Sequence, residues 1–268
     1  MQCLTLPFFG EIEKSQSILL AGAGGGFDIF CGLPLYFGLR NMGKQVHLAN
    51  LSFSPLHISN GRRLSPTLVE VMADTTGSNR YFPEKYLAQW FATQGEQISI
   101  YCFERTGVQP LLVAYQTLID LLHIDTIILI DGGTDSLMRG DEPGLGTPEE
   151  DIASLAAVHQ LQLDTKLLVC LGFGIDTFHG VCHTYFLEAV SELSHNSGFL
   201  GTWSLMKEMP EVQRYREATE AVLQAMPSHP SIVSTSILSA LEGLFGDIHA
   251  TQRTAGSKLF INPLMTLY

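Results

Sequence analysis

A chain of 268 residues that is 46% hydrophobic can bury the core of one large α/β domain, and it has no uncharged apolar run of about 18 residues that would span a bilayer. The formal charge of −12, from 27 acidic against 15 basic residues, comes without a Lys/Arg cluster, which argues against nucleic acid as a partner. The N-terminus lacks the basic-then-apolar layout of a secretory signal, and Cys3, Cys31, Cys102, Cys170 and Cys182 are scattered without a CxxC pair. They read as ordinary buried thiols in a soluble cytoplasmic protein.

In chain order, a strand reads from 17 to 22 and a helix from 27 to 42, joined by a glycine-rich turn; "KQVHLANLSF" (44–53) gives a second strand. Residues 54–96 hold Pro55, Pro66, Pro83 and the polar "TTGSN". They read as an irregular excursion, the kind of insertion that serves as a lid or specificity loop. A strand at 97–103, a helix at 109–123, a strand at 126–131 and a long acidic loop follow. After these come a helix at 148–161, a strand at 166–172, helices at 180–195, 210–226 and 231–244, and a late edge strand at 257–264. Apolar strands alternating with amphipathic helices signal right-handed βαβ units. The expected fold class is α/β: a doubly wound, mostly parallel, Rossmann-like sheet with helices on both faces. One domain is expected over 1–268, with an irregular insertion or lid at about 54–96.

Ligands of open parallel sheets bind beyond the carboxyl ends of the strands, and the acids of this chain gather there. The first strand leads to Asp28, the strand at 97–103 to Glu104 and Arg105, the strand at 126–131 to "DGGTDSLMRGDE", and the strand at 166–172 to Asp176. A lone acid after a strand is commonly a helix N-cap; several on one rim repel unless something positive balances them. Arg105 and Arg139 can each take one, and a divalent cation can take several. All-oxygen donors favour Mg2+ or Mn2+ over zinc.

The expected metal ligands are therefore Asp28, Asp131, Asp135 and Glu142. Gly22, Gly24, Gly25 and Gly26 are the candidates for phosphate binding through backbone amides, with Arg105 and Arg139 as further ligand-binding groups. Asp176 and His183 are the candidate catalytic bases. His179 and His183 share a helix face, a spacing that capping and packing also produce. "GLGTP" (144–148) is a candidate amide nest. Glu149, Glu150 and Asp151 follow Pro148 and read as first-turn acids favoured by the helix dipole. HExxH, GxxxxGK[ST] and GxSxG are missing, so zincin, Walker-type and serine-hydrolase chemistry lose their support.

"GAGGGFDI", "DGGTDSLMRGDEPGLGTPEEDIASLAA" and "GFGIDTF" followed by "SGFLGTWSL" together resemble the domain of unknown function 1152 family, from about residue 17 to the C-terminus. The resemblance implies a single domain, marks Asp28, Asp131, Asp135, Gly140, Glu142 and Asp176 as motif positions, and implies no particular activity. "ILLAGAG" also resembles the opening of sirtuin-like dinucleotide-binding folds, without the later sirtuin signatures. The functional expectation is an enzyme acting on a nucleotide or other phosphorylated small molecule, by metal-assisted hydrolysis or group transfer and with no organic cofactor assigned. The alternative is a non-catalytic nucleotide or metabolite sensor whose acids pair with Arg105 and Arg139. Neither membrane nor nucleic acid is an expected partner; a homo-oligomer is one expected state, and a third reading is a structural subunit whose acidic rim is an assembly surface.

Overall fold

The computed structural model describes residues 5–144 and 146–268; Cys3, and Leu145 of the "GLGTP" stretch, lie outside the described residues. A short helix, Pro7–Glu11 (α1), precedes Ser17–Gly22 (β1), in which every residue is buried. Continuous burial is what a strand flanked on both sides by parallel neighbours requires. The chain continues through Asp28–Cys31 (α2), Leu33–Asn41 (α3), Gln45–Ser52 (β2), Arg62–Ser65 (β3), Leu68–Val71 (β4), Pro83–Thr93 (α4) and Ile100–Glu104 (β5). Then come Val108–Leu122 (α5), Thr126–Asp131 (β6), Pro148–His159 (α6), Thr165–Cys170 (β7), His183–His195 (α7), Pro210–Ala225 (α8) and Ile232–Leu241 (α9).

The strands form one sheet in the order β3-β4-β5-β2-β1-β6-β7. The five from β5 to β7 are mutually parallel, and β3 and β4 extend the β5 edge in antiparallel fashion. The chain winds outward from β1 to β2 and β5, then returns to place β6 and β7 on the other side of β1. The order therefore reverses between β1 and β6, and their carboxyl ends form the crevice in which doubly wound sheets bind ligands. Alternate residues of β1 feed two cores: Ile18 and Leu20 face one that includes Phe30, Phe91 and Tyr215, while Leu19 and Ala21 face one that includes Phe103, Tyr115 and Val158.

Four expectations need correction. The helix expected over 27–42 is two helices, α2 and α3, meeting at Gly32. Residues 54–96 are not an irregular lid: β3 and β4 form a sheet-extending hairpin, and α4 buries Leu87, Ala88, Trp90 and Phe91. Pro83 stands at the start of α4, where the missing N–H costs nothing, and four-residue strands are too short to show a period. The late segment 257–264 joins no strand of the sheet. Gly246 and Ile261 make an isolated bridge, and Leu259 and Ile261 enter the core, so their alternation reflects burial alone. Cys31 and Cys102 are buried as expected, but Cys170 is half-buried and Cys182 exposed. Among the described residues, no helix is long and apolar enough to cross a membrane.

Candidate functional site

A cleft of about 470 Å3 opens at the carboxyl ends of the strands. Five aspartates line it. Asp28 begins α2, Asp131 ends β6, Asp135 begins a 3-10 turn after β6, Asp151 lies in the first turn of α6, and Asp176 lies in a 3-10 turn after β7. Asp131, Asp135, Asp151 and Asp176 are only 2–6% exposed. Among the described residues, none of the five belongs to an ion pair.

Neutral donors hold these carboxylates in place. Gly24 N donates to Asp28 Oδ2 at 2.7 Å. Ser136 N (3.1 Å) and the Ser136 hydroxyl donate to Asp131 Oδ2. Thr147 N (2.7 Å) and Oγ1 (3.2 Å) donate to Asp135, and Thr134 N (2.8 Å) and Oγ1 (2.7 Å) to Asp176. The two glycines after Asp131 let the turn thread between the acids. A Cβ on Gly132 would lie 2.7 Å from Asp28 Oδ1, and one on Gly133, at φ +154°, would lie 3.2 Å from Asp176 Oδ1 and 3.4 Å from Asp131 Oδ1.

Burial and the repulsion of neighbouring carboxylates push Asp28, Asp131, Asp151 and Asp176 toward protonation. Burial first, then the Asp135 charge, lifts Asp28 to about 8, against the pull of the Gly24, Gly132 and Gly25 amides. The same two causes lift Asp176 to about 7, against its Thr134 hydrogen bonds. Asp131 is raised well above the carboxylate range by burial and then by Asp135, Asp28 and Asp176. Asp151 is pushed up to about 11 by burial, then by Asp131, Asp28 and Asp135. Among the described residues its buried Oδ1 has no hydrogen-bond partner, in a carboxylate that presses on Gly24.

The structure thus gathers Asp28, Asp131, Asp135 and Asp176 with Gly24, Gly25, Gly26 and, at the mouth, Arg105. The Arg105 side chain is 69% exposed and lies 3.5 Å from Glu150. Other expected site residues stand apart. Gly22 is packed against Asn50, whose Oδ1 would be 2.1 Å from a Cβ there. Glu142 folds back to accept from the Arg139 and Gly140 amides, both at 2.8 Å, because Gly140 turns the loop at φ +91°. Two amides there hold its carboxylate below the usual range, and the side chain does not join the acidic set. Arg139 pairs with Glu192 of α7 at 2.7 Å. His183 begins α7 beside Phe173 and lines a small pocket that shares Asp176 with the cleft. His179 does line the cleft, and burial lowers its pKa.

Asp151, His229 and Arg253 also line the cleft; the sequence reads Asp151 as a first-turn acid and singles out neither His229 nor Arg253. For Asp151 a signal existed, since three successive acids exceed what one helix start needs. Nothing in the spacing of His229 or Arg253 ties them to a strand end.

A family model described as "Protein of unknown function (DUF1152)" matches residues 19–268. The chain belongs to the DUF1152 family. Neither a curated protein nor a solved structure matches it. The acids of this DUF1152 chain are hard oxygen donors, yet among the described residues no three His, Cys, Asp or Glu side chains are grouped as a ready metal cage.

Proposed function

We propose that the chain is an enzyme acting on a nucleotide or other phosphorylated small molecule, with a divalent cation assisting hydrolysis or group transfer. One observation carries this reading. Five carboxylates converge at the switch point of the sheet and, among the described residues, have no ion-pair partner, while one oxygen, Asp151 Oδ1, is buried with no hydrogen-bond partner there. A divalent cation would let these carboxyls ionise together, which their burial and mutual repulsion otherwise oppose.

Asp28, Asp131 and Asp135 would hold the cation, and the phosphate of the ligand would fill the part of the shell that the protein leaves open. A bound divalent cation neutralises phosphate charge and activates water. Arg105 and Arg253 stand at the same cleft, and Arg253 has no ion-pair partner among the described residues. An acidic floor with guanidinium groups at its mouth fits a cation below and a phosphate above. Asp176, held by Thr134, is the group placed to accept a proton from water or a hydroxyl. The free thiols fit a reducing compartment, and we place the protein in the cytoplasm.

Thermal melts with Mg2+ or Mn2+, alone and with nucleotides or sugar phosphates, test the reading, since a ligand of the native state raises the melting temperature. The expected result is a gain that needs cation and phosphorylated ligand together and is lost in Asp135→Asn, with turnover of the stabilising ligand. Stabilisation without turnover across the panel would favour the sensor reading. No response to any combination would reject both.

A further inference from the structure

The site has a second lobe. Beside the acidic cleft, a groove of about 290 Å3 is lined by Ser52, Phe53, Ser54, His57, Glu104 and Arg105. Phe53 and Arg105 line both cavities and form their shared wall. Ser52 and Glu104 are the last residues of β2 and β5 and are direct register partners; the Ser52 hydroxyl accepts from Ser54 N at 3.1 Å, and the Glu104 carboxylate pairs with Arg63 at 2.9 Å. Adjacent strands lie about 4.8 Å apart, which puts this lobe one to two strands from β1.

Phe53 is the unusual residue. It directly follows β2, is 46% exposed, and lies on the wall between the two cavities. The bare backbone of the glycine loop supports its ring: a Cβ on Gly25 would lie 2.7 Å from Phe53 Cε1, and one on Gly26 3.5 Å from Cδ2. The Arg105 guanidinium stands 5.8 Å from the ring centroid. A large apolar ring fixed from one side and left half in solvent is a platform for another flat ring, because every nucleobase has a π-face to stack.

We propose that the ligand is a nucleotide, with its phosphates in the acidic cleft and its nucleoside in the β2–β5 lobe, stacked on Phe53. This rests on the enzyme reading above and narrows its substrate class. In doubly wound sheets, ribose hydroxyls are met near the end of the second strand by an acidic side chain; here Ser52 ends that strand and Glu104 stands beside it. A sugar phosphate fills one lobe, whereas a ligand with a flat end and an anionic end uses both. Arg105, on the dividing wall, is within reach of the link between the two ends.

Calorimetric titration in the presence of Mn2+ decides the matter, with ADP, GDP, CDP and UDP compared with ribose 5-phosphate and inorganic phosphate. For wild type, at least one nucleoside diphosphate should bind about tenfold or more tighter than ribose 5-phosphate. Phe53→Ala should erase that advantage while leaving ribose 5-phosphate affinity unchanged, which shows the glycine loop intact, and Phe53→Trp should restore it. Equal affinity of wild type for ribose 5-phosphate and every diphosphate would overturn the nucleoside lobe and leave the enzyme reading standing. So would an equal loss of both ligand types in Phe53→Ala. Binding of none of these phosphates by wild type would overturn the enzyme reading and the lobe with it.

Discussion

Gly24 and Asp151 compete for one space: a Cβ on Gly24 would lie 2.3 Å from Asp151 Oδ2. The missing side chain after β1 is what lets the start of α6 bring its carboxylate against the loop. Gly24→Ala should therefore displace Asp151, at an overpacking cost on the order of 1–3 kcal/mol, and weaken the response to cations. Denaturant titration with and without Mg2+, in the presence of a phosphorylated ligand, checks both effects. Unchanged stability with an unchanged cation response would show that the carboxylate moves aside freely.

Asp135→Asn is expected to leave the cation-free protein equally or more stable. The Asp135 charge raises Asp28, Asp131, Asp151 and Asp176 alike, and an amide oxygen can still accept from Thr147. Had Asp135 been the partner of a buried guanidinium, its loss would cost about 3–5 kcal/mol. Melting curves in a chelator give the sign, and a strongly destabilised variant would contradict the unbalanced-charge account.

Stability without cations should fall as the solution becomes alkaline. Asp176 at about 7 and Asp28 at about 8 both lie above the unfolded value of 3.8, so between those limits the native state binds more protons than the unfolded chain. Their contribution is complete below the unfolded value and is lost as pH rises through about 7 and then about 8. Glu70 and Glu96, held low by Arg62 and by Arg40 with Arg214, act in the opposite direction under more acidic conditions. Urea denaturation from about pH 5 to 9, in chelator and in Mg2+ with a nucleoside diphosphate, should show a decline that cation and ligand together remove. A flat profile in chelator would reject the account.

Asn50 ties the sheet to the glycine loop. Its Nδ2 donates to Glu84 Oε1 (2.8 Å) and to Gly26 O (3.0 Å), and Glu84 is fully buried with its pKa raised by that burial. Asn50→Ala strips a donor from both acceptors and should cost about 1–3 kcal/mol. Ligand affinity should fall with it, because Gly26 loses its anchor. Unaltered denaturation would mean that water replaces the amide.

The parallel strands and four of the five aspartates were legible in the sequence for one reason. Each strand is an apolar run closed by a polar turn, so the acid just beyond it lands on a known edge. Asp151 escaped because a helix start explains an acid equally well, and only the contact with Gly24 separates the two roles. Glu142 was misassigned because sequence distance cannot show that Gly140 turns its loop back on itself. The β3–β4 hairpin and α4 were hidden by prolines that mark a turn and a helix start as readily as they mark disorder.

The hydrogen bond from Gly24 N to Asp28 means that the loop carries its own surrogate anion. A phosphate that takes the Gly24 amide evicts the Asp28 carboxylate, and the evicted carboxylate is then free to bind a cation. On the proposed reading, a phosphate arriving alone meets a negative side chain already seated, and a cation arriving alone meets an acid already engaged. Each guest then raises the affinity for the other, and thermodynamic reciprocity makes the two factors equal. One side chain, by changing partners, would make the site respond to the pair and stay nearly silent to either member.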